Sequence, residues 1–502
     1  MNKFLSKSKY VQGWQCLKQV YLSVNHPELV APVDDALQAI FDQGTRLGEL
    51  ARTRWVGGVL VDIHPFQHDE AVRRTKELLE DGDIPSLFEA GFTELGVRIR
   101  ADVLVRTEDG RAWDLIEVKS STGEKPVHDA DIAVQTAVIE AAGVTLRRKM
   151  LLAVDTGYTF QGGETDVSKL FKLVDRTDEV AGLQEEVSVR LAEMHRVVGA
   201  PAEPEVAIGR QCGDPYDCRF LDYCTRGRPE HPVLELPGIG FAKLEQFTSA
   251  GLNDIAEIPD EFSLNVRQKT VRETVRSGLP WQSEALGDQL ATLESPVFFL
   301  DFETFNPAVP VYPNTRPYEA VPFQWSCHID RGGGELEHQE FLAAGDGDPR
   351  RCLTERLLDC VEDKGSIVVY SSYEATSLRK LASEFPDLAQ RIQPVIDRLW
   401  DLYRVVSNNY YHPDFHGSLS LKSVLPVMVP ELGYGDLEIS DGATASARFA
   451  EIEAAGIQGP ERERVATALR AYCGRDTFAT VKILERLQSL VPIQVAGHSN
   501  ND

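Results

Sequence analysis

The stretch from Val97 to Lys119 constrains the fold of this chain more than any other. Val97–Val105 and Ala112–Lys119 both read as strands, and Glu108-Asp109-Gly110 between them supplies a turn, so the pattern predicts a β-hairpin. Strand side chains repeat every second residue, which puts Glu117 and Lys119 on one face of the second strand. Asp102 lies on the first strand, where the hairpin register can bring it beside them, and Glu89, in Phe88-Glu89-Ala90, is a further acid upstream. Two converging carboxylates can hold Mg2+ or Mn2+, and a neighbouring ammonium can orient an attacking water and offset developing charge. The plainer alternative is an exposed hairpin with a chance Glu-x-Lys pair.

A second acidic pattern begins at Pro296. Val297-Phe298-Phe299-Leu300 reads as a buried strand that delivers Asp301-Phe302-Glu303, and alternation places Asp301 and Glu303 on one face. That arrangement suits two cations about 4 Å apart. Strands and helices alternate from there to about Leu490. Ser366–Tyr370 is a strand followed by Ser371-Ser372-Tyr373-Glu374, and Glu463–Leu490 is a long amphipathic helix with Leu469, Tyr472, Asp476 and Ile483 near one face. Tyr472 and Asp476 are four apart and can point at one site; read alone, they are a core tyrosine and a solvated acid. Gly474 weakens the helical pattern slightly.

The eight cysteines do not suggest disulfides in a chain of this size with no secretory signal: Met1-Asn2-Lys3-Phe4-Leu5-Ser6-Lys7 has basic residues but no apolar run after them. Cys327, Cys352, Cys360 and Cys473 are scattered singly and read as inert core thiols. Cys212, Cys218 and Cys224 form a spaced group, with Cys16 far upstream, and none makes the close pair usual for zinc. No run is long enough to span a membrane, so a cytoplasmic location is expected.

With 52 basic and 78 acidic residues the net charge is −26, which argues against a broad basic surface that coats nucleic acid. Any nucleic-acid contact must be local. Leu236-Pro237-Gly238-Ile239-Gly240-Phe241-Ala242-Lys243-Leu244 offers a glycine-rich turn before a helix, where backbone N–H groups can face a phosphate. Arg267, Lys269, Arg272 and Arg276 could line one basic helical strip nearby, although a packed linker helix with solvated basic residues explains them equally well.

The Asp102, Glu117 and Lys119 pattern resembles the PD-(D/E)XK nucleases, in particular their RecB-like branch. Asp131-Ile132-Ala133-Val134-Gln135 looks like the start of that branch's Gln-bearing helix, with Gln135 reaching the active site; Ile139 replaces the usual aromatic residue. Gly44-Thr45-Arg46-Leu47 resembles its Gly-Thr-x-x-His motif, with Gly48 in place of the His, which leaves Asp102 and Glu117 as the metal ligands. Cys16, Cys212, Cys218 and Cys224 resemble the 4Fe–4S arrangement of the AddB helicase–nuclease subunit and of CRISPR-associated RecB-like nucleases, with zinc or unligated thiols as alternatives. Asp301, Glu303, Tyr472 and Asp476 resemble the DnaQ-like exonucleases of the Tyr-containing subclass. That resemblance implies metals on Asp301, Glu303, Glu374 and Asp476, with Tyr472 positioning the nucleophilic water. Glu374 stands without the Asn of the usual third motif, and Ala471 occupies the place of the His in the other subclass. The region from Pro296, including Gly417-Ser418-Leu419-Ser420-Leu421-Lys422 and Asp441-Gly442, also resembles a bacterial domain of unknown function found behind RecB-like nucleases.

Together these resemblances imply an α/β protein in four parts. Residues 1–230 form a PD-(D/E)XK restriction-endonuclease-like domain with an iron–sulfur cluster, and 231–292 a small helical linker domain that resembles a helix–hairpin–helix. Residues 293–492 form an RNase H-like 3'-5' exonuclease domain, and 493–502 a disordered tail. The implied activity is metal-dependent cleavage of DNA ends or single strands. A DNA-binding adaptor with degenerate nuclease folds and an RNA-processing exonuclease are the competing expectations.

Overall fold

The computed structural model describes residues 4–343, 347–453 and 456–491, so the expected tail at 493–502 lies outside it, as do Met1, Asn2 and Lys3. The protein is mixed α/β and divides into two compact units. One holds the chain up to Gly227 together with Pro307–Glu319; the other holds Arg228–Asn306 and the chain from Ala320 onward. Among the described residues no helix is long and apolar enough to cross a membrane.

In the first unit, seven strands among the described residues share a sheet: β1 (Leu5–Ser6), β2 (Val59–Leu60), β3 (Ser86–Glu94), β4 (Val97–Arg106), β5 (Trp113–Lys119), β6 (Leu146–Val154) and β7 (Phe171–Asp175). The order is β2-β3-β4-β5-β6-β7, with β1 running parallel to β4 from outside that path. The expected hairpin is β4 and β5, paired antiparallel with Val103 opposite Ile116 and Leu104 opposite Leu115. Continued by one residue, this register sets Asp102 across from Glu117. On the other side of β4, Phe88 pairs with Val103 and Ala90 with Ala101. Glu89 sits between those pairs, opposite Asp102, with a left-handed φ of 56°.

The Gln-bearing helix is longer than its motif suggests. It runs Pro126–Ala141, with Pro126 in the first turn, where a missing N–H costs nothing. Asp131 therefore lies one and a half turns inside it and is buried. The helix packs against β6, the helix Lys7–Gln15 and the helix Gln184–Val198, so it is apolar around most of its circumference rather than along one stripe. Pro307–Glu319 is tied into this unit by a hydrogen bond from the Phe160 N–H to the Thr315 carbonyl (3.0 Å) and by Tyr318, whose hydroxyl donates to the Ser120 carbonyl.

The second unit contains β8 (Trp281–Gln282), β9 (Val297–Phe305), β10 (Val321–Asp330), β11 (Leu336–Leu342), β12 (Ser366–Val369), β13 (Leu399–Asp401) and β14 (Tyr410–Tyr411). Five of them form a sheet in the order β11-β10-β9-β12-β13, with β10 antiparallel to its neighbours and β9, β12 and β13 mutually parallel. The small strands β8 and β14 pair separately. β9 is central and buried along most of its length, as expected for a continuous apolar run.

The segment 231–292 is not a domain of its own. Val233, Leu236, Phe247, Ile258 and Val271 share one core with Phe299, Val368, Leu402 and Leu484. A segment this short, made of brief helices, is marginal by itself, and here its apolar residues complete the core of the second unit.

Candidate active sites

In the first unit, Asp102 on β4 and Glu117 and Lys119 on β5 meet Gln135 and Asp131 from the helix Pro126–Ala141. Lys119 Nζ lies 2.7 Å from Glu117 and 2.6 Å from Asp131, and Gln135 Nε2 donates to Glu117 at 2.7 Å. Gln135 Oε1 is buried without a hydrogen-bond partner among the described residues. The Val118 N–H donates to Asp102 at 2.8 Å, fixing that carboxylate against β5. Sequence reasoning missed two members, Asp131 and Lys7. Lys7 follows β1, and the pairing of β1 with β4 carries it in: its Nζ is 2.9 Å from Glu117 and 3.4 Å from Asp102. No local motif marks it, because only the parallel pairing of a two-residue strand brings it there.

The electrostatics of this cluster follow from three carboxylates, Asp102, Glu117 and Asp131, beside two ammonium groups, and burial raises Asp131 as well. Burial works to raise Glu117, yet Lys119 and Lys7 overcome it and hold the carboxyl well below the usual range. Asp102 is pushed up to about 7 by burial and by the Glu117 charge. Both lysines sit above their ordinary value: burial opposes this, but Asp102 acts most strongly on Lys7 and Asp131 on Lys119. The Glu89 carboxylate pairs with Arg52 at 3.0 Å, and its charge helps to raise Asp102.

In the second unit, alternation along β9 does bring Asp301 and Glu303 to one face. The helix Gly459–Leu490 supplies Tyr472 and Asp476 from adjacent turns, both buried, and continues through Gly474, where a Cβ would make only ordinary contact with His338, at 3.8 Å, so packing does not require the glycine. Glu374 enters from the first turn of the helix Tyr373–Glu384, directly after β12, and is buried. Burial is the first cause raising Asp301, followed by the charges of Glu303, Asp476 and Glu374. Glu303 is raised by burial and then by Asp476. Burial also raises Asp476, against hydrogen bonds from Tyr434 and Tyr472, and lifts Glu374 to about 7.

Four neighbours of this cluster were not assigned roles from the sequence. Tyr434 donates to Asp476. Lys422 lies over the Tyr472 ring at 5.6 Å and the Tyr434 ring at 5.9 Å, and its charge bears on Glu303. Asp441 caps the helix Gly442–Glu453 by accepting from the Thr444 N–H at 2.8 Å, and its charge also reaches Glu303. Cys473 is not merely a core thiol: its Sγ is 3.8 Å from Asp301 Oδ2, and together with Asp301 and Glu303 it forms a compact group of metal-capable donors. Among the other single cysteines, Cys327 and Cys360 are buried, whereas Cys352 is exposed, contrary to its expected core position.

Cys16, far upstream in sequence of Cys212, Cys218 and Cys224, lines one small pocket with them and with Gln19, Leu22 and Phe220. No carboxylate or imidazole lines that pocket, so its metal-capable donors are all thiols. Burial pushes the Cys218 thiol up to about 11, and the other three cysteines add to the shift. Tyr216, between Cys212 and Cys218, is within electrostatic reach of Lys119, Asp131 and Glu117.

The basic strip does not form as expected. Arg272 is buried, with its guanidinium 3.0 Å from Asp260 and 2.9 Å from Glu273. Arg276 pairs with Asp260 at 2.8 Å and donates to the Ala256 carbonyl. Both side chains reach back to satisfy the turn before their own helix, Val266–Ser277, and are not presented to a ligand. Arg267, half-buried, lies about 200° around the helix from the exposed Lys269, so the two do not share a face. Lys243 also folds back, donating to the Ser263 carbonyl.

Comparison with known proteins finds a match to the model of a domain of unknown function (DUF2779) over residues 298–420, which includes Asp301, Glu303 and Glu374. Uncharacterized protein UU173 of Ureaplasma parvum is 25% identical over 233 residues, 41% of this chain and 33% of its own length. Uncharacterized protein MG366 of Mycoplasma genitalium is 22% identical over 244 residues, 42% of this chain and 36% of its own length. The chain therefore matches about a third of the length of these curated relatives, and its similarity to the domain of unknown function reaches all five strands of the second unit's main sheet but stops short of Tyr472 and Asp476.

Proposed function

We propose that this protein is a metal-dependent nuclease with two candidate active sites, one in a PD-(D/E)XK-like unit of the RecB type and one in an RNase H-like unit of the DnaQ type. The observation that carries the reading is the convergence of Asp301, Glu303, Glu374 and Asp476 with Tyr472. These residues come from a central strand, the helix after its parallel neighbour and the last long helix. Four crowded carboxylates with raised pKa values are poorly matched to one another unless a cation joins them, and their hard oxygen donors suit Mg2+ or Mn2+. When bound there, such ions supply Lewis acidity toward a phosphodiester and a nucleophilic hydroxide. The chain's own residues do the rest. Tyr472, held beside Asp476, is placed to orient a water, while Lys422 and Tyr434 hold the edge of the site. In the first unit Asp102 and Glu117 offer the oxygen donors, with Lys119 and Gln135 fixing Glu117.

One observation favours a narrower second reading, a nucleic-acid-binding first unit that does not cleave. Lys7 places its ammonium between Asp102 and Glu117, where a metal ion would otherwise be held. A cation entering that site has to displace it. DNA as substrate, and repair or defence against foreign DNA as setting, belong to the proposal. The deciding experiment is a time course on end-labelled single-stranded DNA, duplex DNA and RNA with Mg2+ or Mn2+, using wild type, Lys119→Ala, Asp301→Asn and the double variant. Absence of cleavage of every substrate by wild type would end the nuclease reading, and loss only in Asp301→Asn selects the narrower one.

The thiol pocket supports a 4Fe–4S cluster held by Cys16, Cys212, Cys218 and Cys224, whose all-sulfur donor set is the usual one for such clusters. Anaerobically purified protein should be brown and absorb near ~400 nm, as thiolate-bound iron clusters do, and Cys218→Ser should bleach it. Colourless protein with zinc on sulfur would replace the cluster with a structural zinc site.

A further inference from the structure

Away from both carboxylate clusters, the second unit holds a compact group of two imidazoles and a carboxylate. His231, Glu235 and His416 each offer a ligand atom, and these atoms all lie within 4.8 Å of one another. We propose that they form a zinc site, which clamps the segment after Gly227 to the turn after β14.

The backbone holds this group together independently of the charges. Pro232 and Asp254 form a β-bridge, the Ile255 N–H donates to the His231 carbonyl at 2.8 Å, and the Val233 N–H donates to the Asn253 carbonyl at 3.0 Å, so the chain on either side of His231 is anchored. Glu235 ends a short turn, Val233–Glu235, whose Val233 is a core residue. On the other side, Phe415 is buried, and His416 leaves it with a left-handed φ of 47°, uncommon for a residue with a side chain. Gly417 follows at φ 74°, pressed so closely on Glu235 that a Cβ there would lie 1.7 Å from the Glu235 carbonyl oxygen. The Gly417 N–H is further pinned by the Tyr411 hydroxyl at 3.0 Å. This close approach and the unusual turn aim His416 Nδ1 at Glu235 Oε2, 3.0 Å away, with the His231 ring stacked at 5.2 Å.

Two imidazole nitrogens and one carboxylate oxygen make a borderline donor set suited to zinc, and Mg2+ and Ca2+ prefer all-oxygen sites. Three protein ligands leave one tetrahedral position for water. The ligands come from segments far apart in sequence, so the ion would close a long loop of the unfolded chain and favour the folded one.

The test uses the full chain with Cys16→Ser and Cys218→Ser, which takes the thiol pocket out of competition for zinc; this parent is stripped of metal and titrated with Zn2+ against a chromophoric chelator, with X-ray absorption on the one-equivalent complex. The expected result is one tight equivalent with a nitrogen and oxygen shell near ~2.0 Å. Its affinity should fall at least tenfold when His231→Gln or His416→Asn is added, and stay unchanged when Asp301→Asn is added. Asn is chosen at 416 because it tolerates left-handed backbone, and circular dichroism checks that the parent and each variant are folded. Bound Zn2+ should also raise the melting midpoint of the parent but not of its His416→Asn variant. A sulfur shell, an equivalent that both His variants retain, one lost instead with Asp301→Asn, or no tight equivalent in the folded parent would each overturn the proposal.

Discussion

The two carboxylate clusters handle buried negative charge in opposite ways. In the first unit Glu117 is 1% exposed but meets two ammonium groups and a carboxamide, so its charge is answered from within the protein. In the second, Asp301, Glu303, Glu374 and Asp476 crowd together with Asp441 nearby, and the charge of Lys422 reaches Glu303 and Asp476. A cluster answered from within is stable without an ion, whereas one left in excess stores repulsion that an incoming cation relieves. The clusters should therefore respond differently to the same kinds of change.

The largest expected effect is on rate. Asp301→Asn should remove the activity of the second site by on the order of a thousandfold or more, the scale expected when a ligand organising two-metal chemistry is lost. A time course matching wild type on every substrate, with Lys119→Ala inactive, would reverse the assignment and make the second unit a scaffold.

The next effect is on stability, and here the two clusters should differ in sign. Lys7→Met removes one of the two cations beside a buried carboxylate and should cost about 3 kcal/mol in denaturant unfolding followed by a probe in the first unit. In chelator, Asp301→Asn should instead stabilise the second unit, because it removes one charge from a repelling group. If both variants destabilise, the contrast between the clusters is wrong.

A pH series sharpens the same comparison. Asp301, Glu303 and Glu374 have folded-state pKa values above their ordinary ones, so the folded second unit binds more protons than the unfolded chain. Stability is then greatest below the ordinary carboxylate range and falls as pH rises toward the folded value of Glu374, about 7. In chelator the melting midpoint of that unit should drop between about pH 5 and 8, and Mg2+ or Glu374→Gln should flatten the drop. The first unit should drop less over this window, because two of its carboxylates, Asp102 and Asp131, are raised against four in the second, while the depressed Glu117 is already ionised there in both states. Equal slopes in the two units would remove the distinction.

The smallest effect concerns Lys422. Its contacts with the Tyr472 and Tyr434 rings should contribute about 0.5–1 kcal/mol, so Lys422→Met should lower the chelator midpoint slightly. With Mg2+ bound the difference should shrink, because the ion takes over the neutralisation of Glu303. A loss that grows with Mg2+ would mean that Lys422 acts on something other than the acidic cluster.

Local pattern alone located the hairpin of β4 and β5, the apolar run of β9 and the long last helix, because a period of two or of 3.6 is written into consecutive residues. It also placed Asp301 beside Glu303, and Tyr472 beside Asp476, since each pair lies within one element. What joined those pairs was tertiary. Lys7 reaches Glu117 only because a two-residue strand lies parallel to β4, and Asp131 joins it only because the helix starts earlier than its motif. The same limit explains part of the basic strip: helical spacing aligned Lys269, Arg272 and Arg276, though never Arg267, but the turn at 258–260 offered carbonyls and Asp260, and a guanidinium bonds to the nearest acceptors. It explains the middle segment too, whose helices were readable but whose core partners, Phe299, Val368 and Leu484, lie far along the chain. Secondary structure is set by neighbours in sequence, whereas charge neutralisation and core completion are set by neighbours in space, and only the folded chain determines which residues those are.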